Sequence, residues 1–211
     1  MVSAESSSGD GREPPDTGRL AVLASGTGTI LEALIGAELP IVVVGVDRPC
    51  RAAEIAEAAG IFVESVVRGD FSAAFDRDAY TGELIAALRR HRVGTVAMAG
   101  FATVLGPAFF PAFGGRVLNT HPSLLPAYKG WHAVELALAA GDSVTGCTVH
   151  LATQEVDAGP ILSQEKVPIF PGDSEEMLHE RIKQVERRLY PATIRSFLET
   201  VGSAAGPGIA G

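Results

Sequence analysis

Arg19-Leu20-Ala21-Val22-Leu23-Ala24 is a short apolar run that breaks into Ser25-Gly26-Thr27-Gly28-Thr29, and an amphipathic stretch over 30–37 follows. An apolar run that ends in glycines and passes into helical periodicity reads as strand, tight turn and helix. Ile41-Val42-Val43-Val44-Gly45-Val46 comes next, with apolar residues on both faces, as a strand covered by helices on both sides requires. Outward from this unit the alternation continues. A helix is expected over 51–59, a strand near 62–67, a longer helix over 76–91 and a fourth strand over 95–98. A short helix around 107–113 leads to a fifth strand over 116–120. Strands alternating with helices predict a doubly wound parallel sheet.

The second half changes character. Residues 132–140 look helical, whereas 144–151 and 161–168 look like longer strands that pair antiparallel. The closing helix, 173–197, opens with Asp173-Ser174-Glu175-Glu176, where carboxylates suit a helix N-terminus. The expected fold is therefore α/β, Rossmann-like and mostly parallel, with an antiparallel extension in the C-terminal half. Residues 1–18, rich in Ser, Gly, Asp, Glu and Pro, read as a disordered tail, and 202–211 as a flexible Gly- and Ala-rich one. Between them, 19–201 reads as a single domain in two halves, 19–115 and 116–201.

At 211 residues, 46% of them hydrophobic and 20% charged, the chain has material for a sizeable core. Its formal net charge of -8 argues against nonspecific nucleic-acid binding, which needs a surplus of Lys and Arg. The N-terminal segment has neither a basic start nor an apolar stretch, so it is no secretory signal. No apolar run approaches membrane-spanning length, and the expected compartment is the cytoplasm. Cys50 and Cys147 lie far apart and read as two reduced thiols.

Gly26-Thr27-Gly28 falls where the first strand feeds the first helix. Small residues let backbone N–H groups approach an anion, and the helix N-terminus adds partial positive charge. A dinucleotide fingerprint needs a third small residue where Leu31 stands, and a P-loop needs a lysine that is missing, so one mononucleotide phosphate fits better than either. A plain tight turn remains the competing reading. Asp47, ending the second strand, stands about where dinucleotide-binding folds place a ribose-binding acid, which keeps an oxidoreductase open.

Asn119 and His121 are two apart on an expected strand, so both side chains share a face, and Pro122 places them at the strand's C-terminal end. An amide donor beside an imidazole suits stabilisation of an oxyanion together with proton transfer. A structural histidine is the equal alternative. Asp157 precedes Ala158-Gly159-Pro160, and by spacing alone it is an ordinary turn residue. His121, His132, His150 and Asp157 match no compact metal-ligand motif, and no metal is expected.

Taken together, these segments resemble the glycinamide ribonucleotide formyltransferases. Residues 23–34 are similar to that family's phosphate loop, 99–105 to its folate-pocket segment, and 119–126 with 146–160 to its catalytic segments; the likeness runs from about Arg19 to Phe197. The resemblance implies formyl transfer in purine biosynthesis from 10-formyltetrahydrofolate to the amine of glycinamide ribonucleotide, with both small molecules as partners and a homodimer left open. It implies 19–115 as a phosphate-binding half and 116–201 as a catalytic and folate-binding half, with Asn119, His121 and Asp157 as the catalytic trio. Gly28, Thr29 and Ile30 would cradle the substrate phosphate, and Lys183 and Glu186, three apart on one helix face, would complete that pocket. Arg77, Ala102, Thr103, Val104, Leu105, Asn119, Thr153, Gln154, Glu155, Val156 and Asp157 would line the folate site, Arg77 facing its glutamate tail. Ile30 stands where the family often has Asn, and Ala102-Thr103 where it often has Met-Arg. The nearest rival is a formyltetrahydrofolate hydrolase, expected to carry an extra N-terminal regulatory domain for which 1–18 leaves no room. An initiator-tRNA transferase is expected to add a basic C-terminal domain. From other classes, a nucleotide-binding regulatory module or an oxidoreductase using Asp47 is the alternative.

Overall fold

The computed structural model describes residues 15–204. Its elements are β1 (Asp16–Ala24), α1 (Thr29–Gly36), β2 (Ile41–Val46), α2 (Arg51–Ala58), β3 (Phe62–Ser65), α3 (Arg77–Arg90), β4 (Val93–Met98), α4 (Phe109–Ala112), β5 (Val117–His121), α5 (Ala133–Ala139), β6 (Val144–Leu151), β7 (Ile161–Pro168) and α6 (Glu175–Ala204). They build one seven-stranded sheet in the order β3-β2-β1-β4-β5-β6-β7. Strands β1 to β5 pair parallel, while β5–β6 and β6–β7 pair antiparallel, as the longer second-half strands predict.

Strand β1 lies at the centre and shows why the sheet must be covered twice. Leu20, Val22 and Ala24 point into a core shared with α1, α2 and α6, whereas Ala21 and Leu23 point into one shared with α3 and α4. All five are fully buried, and Leu20, Val22 and Leu23 each contribute up to roughly 1.5–3 kcal/mol. Gly45 in β2 is required by that packing, because a Cβ there would lie 2.6 Å from Leu23 Cδ2. A third cluster, with Val134, Cys147, Val167, Leu178 and Ile182, seats α5 and the first half of α6 on β6 and β7. Tyr190 anchors α6 at mid-sheet, its hydroxyl reaching the Met98 and Leu118 carbonyls at 3.1 and 2.9 Å.

Two boundaries differ from the sequence reading by more than two residues. Strand β1 starts at Asp16 rather than Arg19. The Asp16 N–H donates to the Arg92 carbonyl at 3.1 Å, and the Thr95 hydroxyl donates to the Thr17 carbonyl at 2.8 Å. These backbone pairings extend the strand through residues whose polar composition hides it. Helix α6 continues through Gly202 to Ala204. Residues 1–14 and 205–211, the rest of the expected tails, lie outside the described residues. No helix among the described residues is long and apolar enough to cross a membrane.

Sheet order reverses between β1 and β4, the place where open α/β sheets part to form a crevice beyond the strands' C-terminal ends. Helix α6 reaches past the end of β5 and overhangs that crevice with Glu175, His179, Lys183 and Glu186.

Candidate active site

The crevice is a cleft of about 590 Å³, within the range of small-molecule sites. Its walls are the turn after β1, the segment after β4, the end of β5, the loop before α5, the segment after β6 and the overhanging face of α6.

The polar cluster sits at its centre. Asn119 and His121 both face the cleft from β5, as the two-residue spacing predicts. Asp157 arrives from the turn between β6 and β7 in a left-handed conformation, φ 51°, which a non-glycine residue adopts only when its surroundings hold it there. Its Oδ2 lies 3.2 Å from His121 Nδ1 and accepts the Gly130 N–H at 2.8 Å; its Oδ1 lies 3.3 Å from His150 Nε2. Burial pushes the Asp157 carboxyl up, but the His150 hydrogen bond, the Gly130 N–H and the charge of His121 outweigh it and hold it below its usual value. His121 Nε2 lies 2.7 Å from the Tyr128 carbonyl. A carbonyl only accepts, so Nε2 carries a hydrogen and Nδ1 is left to Asp157. A bare turn residue would make none of these contacts.

At one end of the cleft, Gly28 caps α1 at φ 74° with no side-chain cap, which leaves the first-turn N–H groups of Thr29 and Ile30 facing the opening. Across from them Lys183 and Glu186 share one face of α6. Burial drives the Glu186 carboxyl up to about 7, against the opposing pull of the Thr120 hydroxyl, Lys183 and Arg187. His179, one turn before Lys183, is lowered by burial and by the Lys183 charge.

On the opposite side, Ala102, Thr103, Val104 and Leu105 with Thr153, Gln154 and Val156 form a wall that is largely apolar. Thr103 contributes backbone only, since its hydroxyl is 2.7 Å from the buried Asp47. Glu155 does not join the lining; it is exposed and lies 3.6 Å from Lys129. Arg77 also stands off the lining, exposed at the first turn of α3. Asp47 is fully buried and bonded by Arg48 and Thr103, so it has no carboxylate to offer a ribose.

One residue of the cluster is absent from the sequence-level site. His150, 1% exposed, is the cross-strand partner of Asn119 and places Nε2 3.3 Å from the Asn119 amide nitrogen. Its position on a strand facing Asn119 is the signal, but it becomes legible only with the β5–β6 register.

Fold and cleft together define a doubly wound α/β protein whose switch-point crevice gathers Asn119, His121, His150 and Asp157 between the turn after β1 and a largely apolar wall. The chain belongs to the formyl transferase family, which matches residues 18–194. It is 50% identical over 189 residues to the phosphoribosylglycinamide formyltransferase of Mycobacterium tuberculosis, covering 87% of this chain and 86% of that protein. The Escherichia coli protein of the same name is 39% identical over 187 residues, covering 85% and 87%. Among solved structures, the phosphoribosylglycinamide formyltransferase from Bacillus halodurans superposes with a TM-score of 0.79 at 36% identity, covering 85% of this chain and 95% of that one. A formyltetrahydrofolate deformylase from Pseudomonas syringae shares the fold, with a TM-score of 0.80 at 24% identity, covering 88% of this chain and 62% of that one.

Proposed function

We infer that this protein transfers the formyl group of 10-formyltetrahydrofolate to the amine of glycinamide ribonucleotide, a step of purine biosynthesis. The observation that carries this reading is the convergence of Asn119, His121 and Asp157 on one cleft whose end presents the uncapped N-terminus of α1. The family and the phosphoribosylglycinamide formyltransferases that the chain resembles support it.

The phosphate is assigned to the N–H groups around Gly28, Thr29 and Ile30. Lys183 and Glu186 face the sugar. Backbone is what remains polar at Ile30, so the loss of an asparagine there leaves the cradle intact. The wall formed by Ala102, Thr103, Val104, Leu105, Thr153, Gln154, Val156 and Asp157 suits a flat heteroaromatic ring, with backbone groups reading its edge. Arg77 and Glu155, off the lining, are assigned to the part of a folate that leaves the cleft, Arg77 to the glutamate tail.

The formyl donor supplies an acyl carbon whose oxygen gains negative charge when the neutral amine attacks. Asn119 Nδ2–H is the donor for that oxygen, worth roughly 10²–10³ in rate. His121 Nε2–H, released from the Tyr128 carbonyl, is the hydrogen available to the departing nitrogen, directly or through a water. Asp157 holds the imidazole in position, and the proton that the attacking amine must shed replaces, directly or through a water, the one that His121 gives to the departing nitrogen. Proton transfer of this kind supplies about 10²–10⁴. The residues named complete this chemistry without a metal.

The deciding experiment is formyl transfer from 10-formyltetrahydrofolate with and without glycinamide ribonucleotide. Turnover is expected only with the amine present. Deformylation at full rate without it would overturn the transferase reading in favour of hydrolysis.

A further inference from the structure

Asp47 is an acid that the proposed chemistry leaves unused. It ends at the C-terminal edge of β2, fully buried and behind the cleft wall rather than on it. A buried carboxylate is tolerated only when it is paired and hydrogen-bonded. Here Arg48 Nε–H donates to Oδ1 at 2.9 Å and Nη2–H to Oδ2 at 3.0 Å, and the Thr103 hydroxyl donates to Oδ2 at 2.7 Å. Ser25 also helps to hold this carboxylate ionised. Ser25 Oγ in turn accepts the Ala102 N–H at 2.8 Å, and the Ser25 N–H donates to the Gly100 carbonyl at 3.2 Å. Burial raises the Asp47 carboxyl, and the bonds from Arg48, Thr103 and Ser25 outweigh it, so the group stays ionised.

Three chain segments meet on this one side chain: the turn after β1, the end of β2 and the segment after β4. The last is anchored at its ends by the Ala99 N–H on the Leu23 carbonyl and the Gly106 N–H on the Thr81 hydroxyl, both 2.8 Å. Between those anchors, Thr103 turns inward to Asp47 at 1% exposure while Val104 faces out at 45%. We propose that Asp47 is a positioning residue for the formyl-donor site: through Thr103 and Ser25 it fixes the backbone of residues 100–105 against the phosphate turn. This rests on the assignment of that wall to the folate. A threonine is short enough to reach the carboxylate from within the wall, which gives Thr103 a purpose where the family often has arginine. The same contact that removes Asp47 as a ribose ligand puts it to use one layer back.

Thr103→Val tests this, because it deletes the hydroxyl and keeps the shape. The KM for 10-formyltetrahydrofolate is expected to rise roughly tenfold, the scale of one hydrogen bond to a charged group. The KM for glycinamide ribonucleotide is expected to stay within about twofold, a difference that general loosening of the fold would not produce. Thr103→Ser restores the hydroxyl and is expected to return the folate KM to the parent value. If Thr103→Val fails to fold, Thr103→Ala removes the same hydroxyl without adding bulk and is expected to give the same split. A folate KM unchanged in the folded variant, or both KM values raised alike, overturns the proposal. A parent protein that shows no saturable dependence on the folate overturns the functional reading itself, and this is seen before any variant is made.

Discussion

Asn119 and His150 stand opposite one another on β5 and β6, with Asn119 Nδ2 3.3 Å from His150 Nε2. His150 Nδ1 lies 3.0 Å from the Leu151 carbonyl, an acceptor only, so Nδ1 carries a hydrogen, and Nε2 stands 3.3 Å from both the Asn119 amide nitrogen and Asp157 Oδ1. The buried ring thus braces the Asn119 amide and ties it to Asp157. His150→Leu keeps the bulk and removes that polar link. We expect kcat to fall roughly 10–100-fold, the cost of misplacing a catalytic group by about an ångström. Steady-state rates at saturating concentrations of both substrates check this. A kcat within twofold of the parent would show that Asn119 keeps its orientation unaided.

Asp157→Asn preserves the turn and removes the charge beside His121. The rate is expected to drop by roughly 10²–10⁴, the span of lost proton transfer, with substrate KM values changed far less. The Asp157 carboxyl is held below its usual value, so its contribution to stability is present above the unfolded value and lost as pH falls through the folded one. The variant is therefore expected to lose less stability than the parent on acidification, as thermal unfolding below pH 4 will show.

Glu186 works in the opposite sense. Its carboxyl is raised from 4.5 to about 7, so between those values the folded chain holds a proton that the unfolded chain has lost. Stability then falls as pH rises through that window, by an amount on the order of 2 kcal/mol. Glu186→Gln stays neutral throughout. It is expected to match the parent near pH 5 and to melt at a higher temperature than the parent at pH 8. Equal melting temperatures at pH 8 would place the carboxyl in an ordinary solvated state.

Gly28 has two reasons to be glycine. Its φ of 74° strains any L side chain, and a Cβ would lie 2.6 Å from Ile55 Cδ1 and 3.0 Å from Ala52 Cα. Gly28→Ala is expected to cost roughly 1–3 kcal/mol of stability and to raise the KM for glycinamide ribonucleotide, because the first-turn N–H groups shift with the cap. Gly26→Ala meets nothing within 4 Å and serves as the stability control. Denaturant unfolding of the two variants side by side separates them.

The strands and helices were legible because their signals are local. The apolar run of β2 over Ile41–Val46 and the long strands Val144–Leu151 and Ile161–Pro168 have the bounds that composition and periodicity mark. The helix that the pattern opens at Asp76 starts one residue later, with Asp76 as its cap, accepting the Ala79 N–H at 2.9 Å. Where the signal was not local, the reading stopped short. Residues 16–18 look like tail and are strand, because what makes them strand is a pairing with Val93 and Thr95, more than seventy residues on.

The sequence by itself determined the alternation of elements, the glycine turn, and the presence of Asn119 and His121 on one face of one strand. Only the tertiary structure decided what those residues touch. Asp157 stands 36 residues from His121 and becomes its partner because the β6–β7 turn folds back over the end of β5. His150 joins them through strand register, and Asp47, which its position marked as a ligand, is sealed inside by Thr103 and Arg48. The division has one physical cause. Periodicity and turn chemistry depend on neighbours along the chain, whereas burial and hydrogen-bond partners depend on neighbours in space.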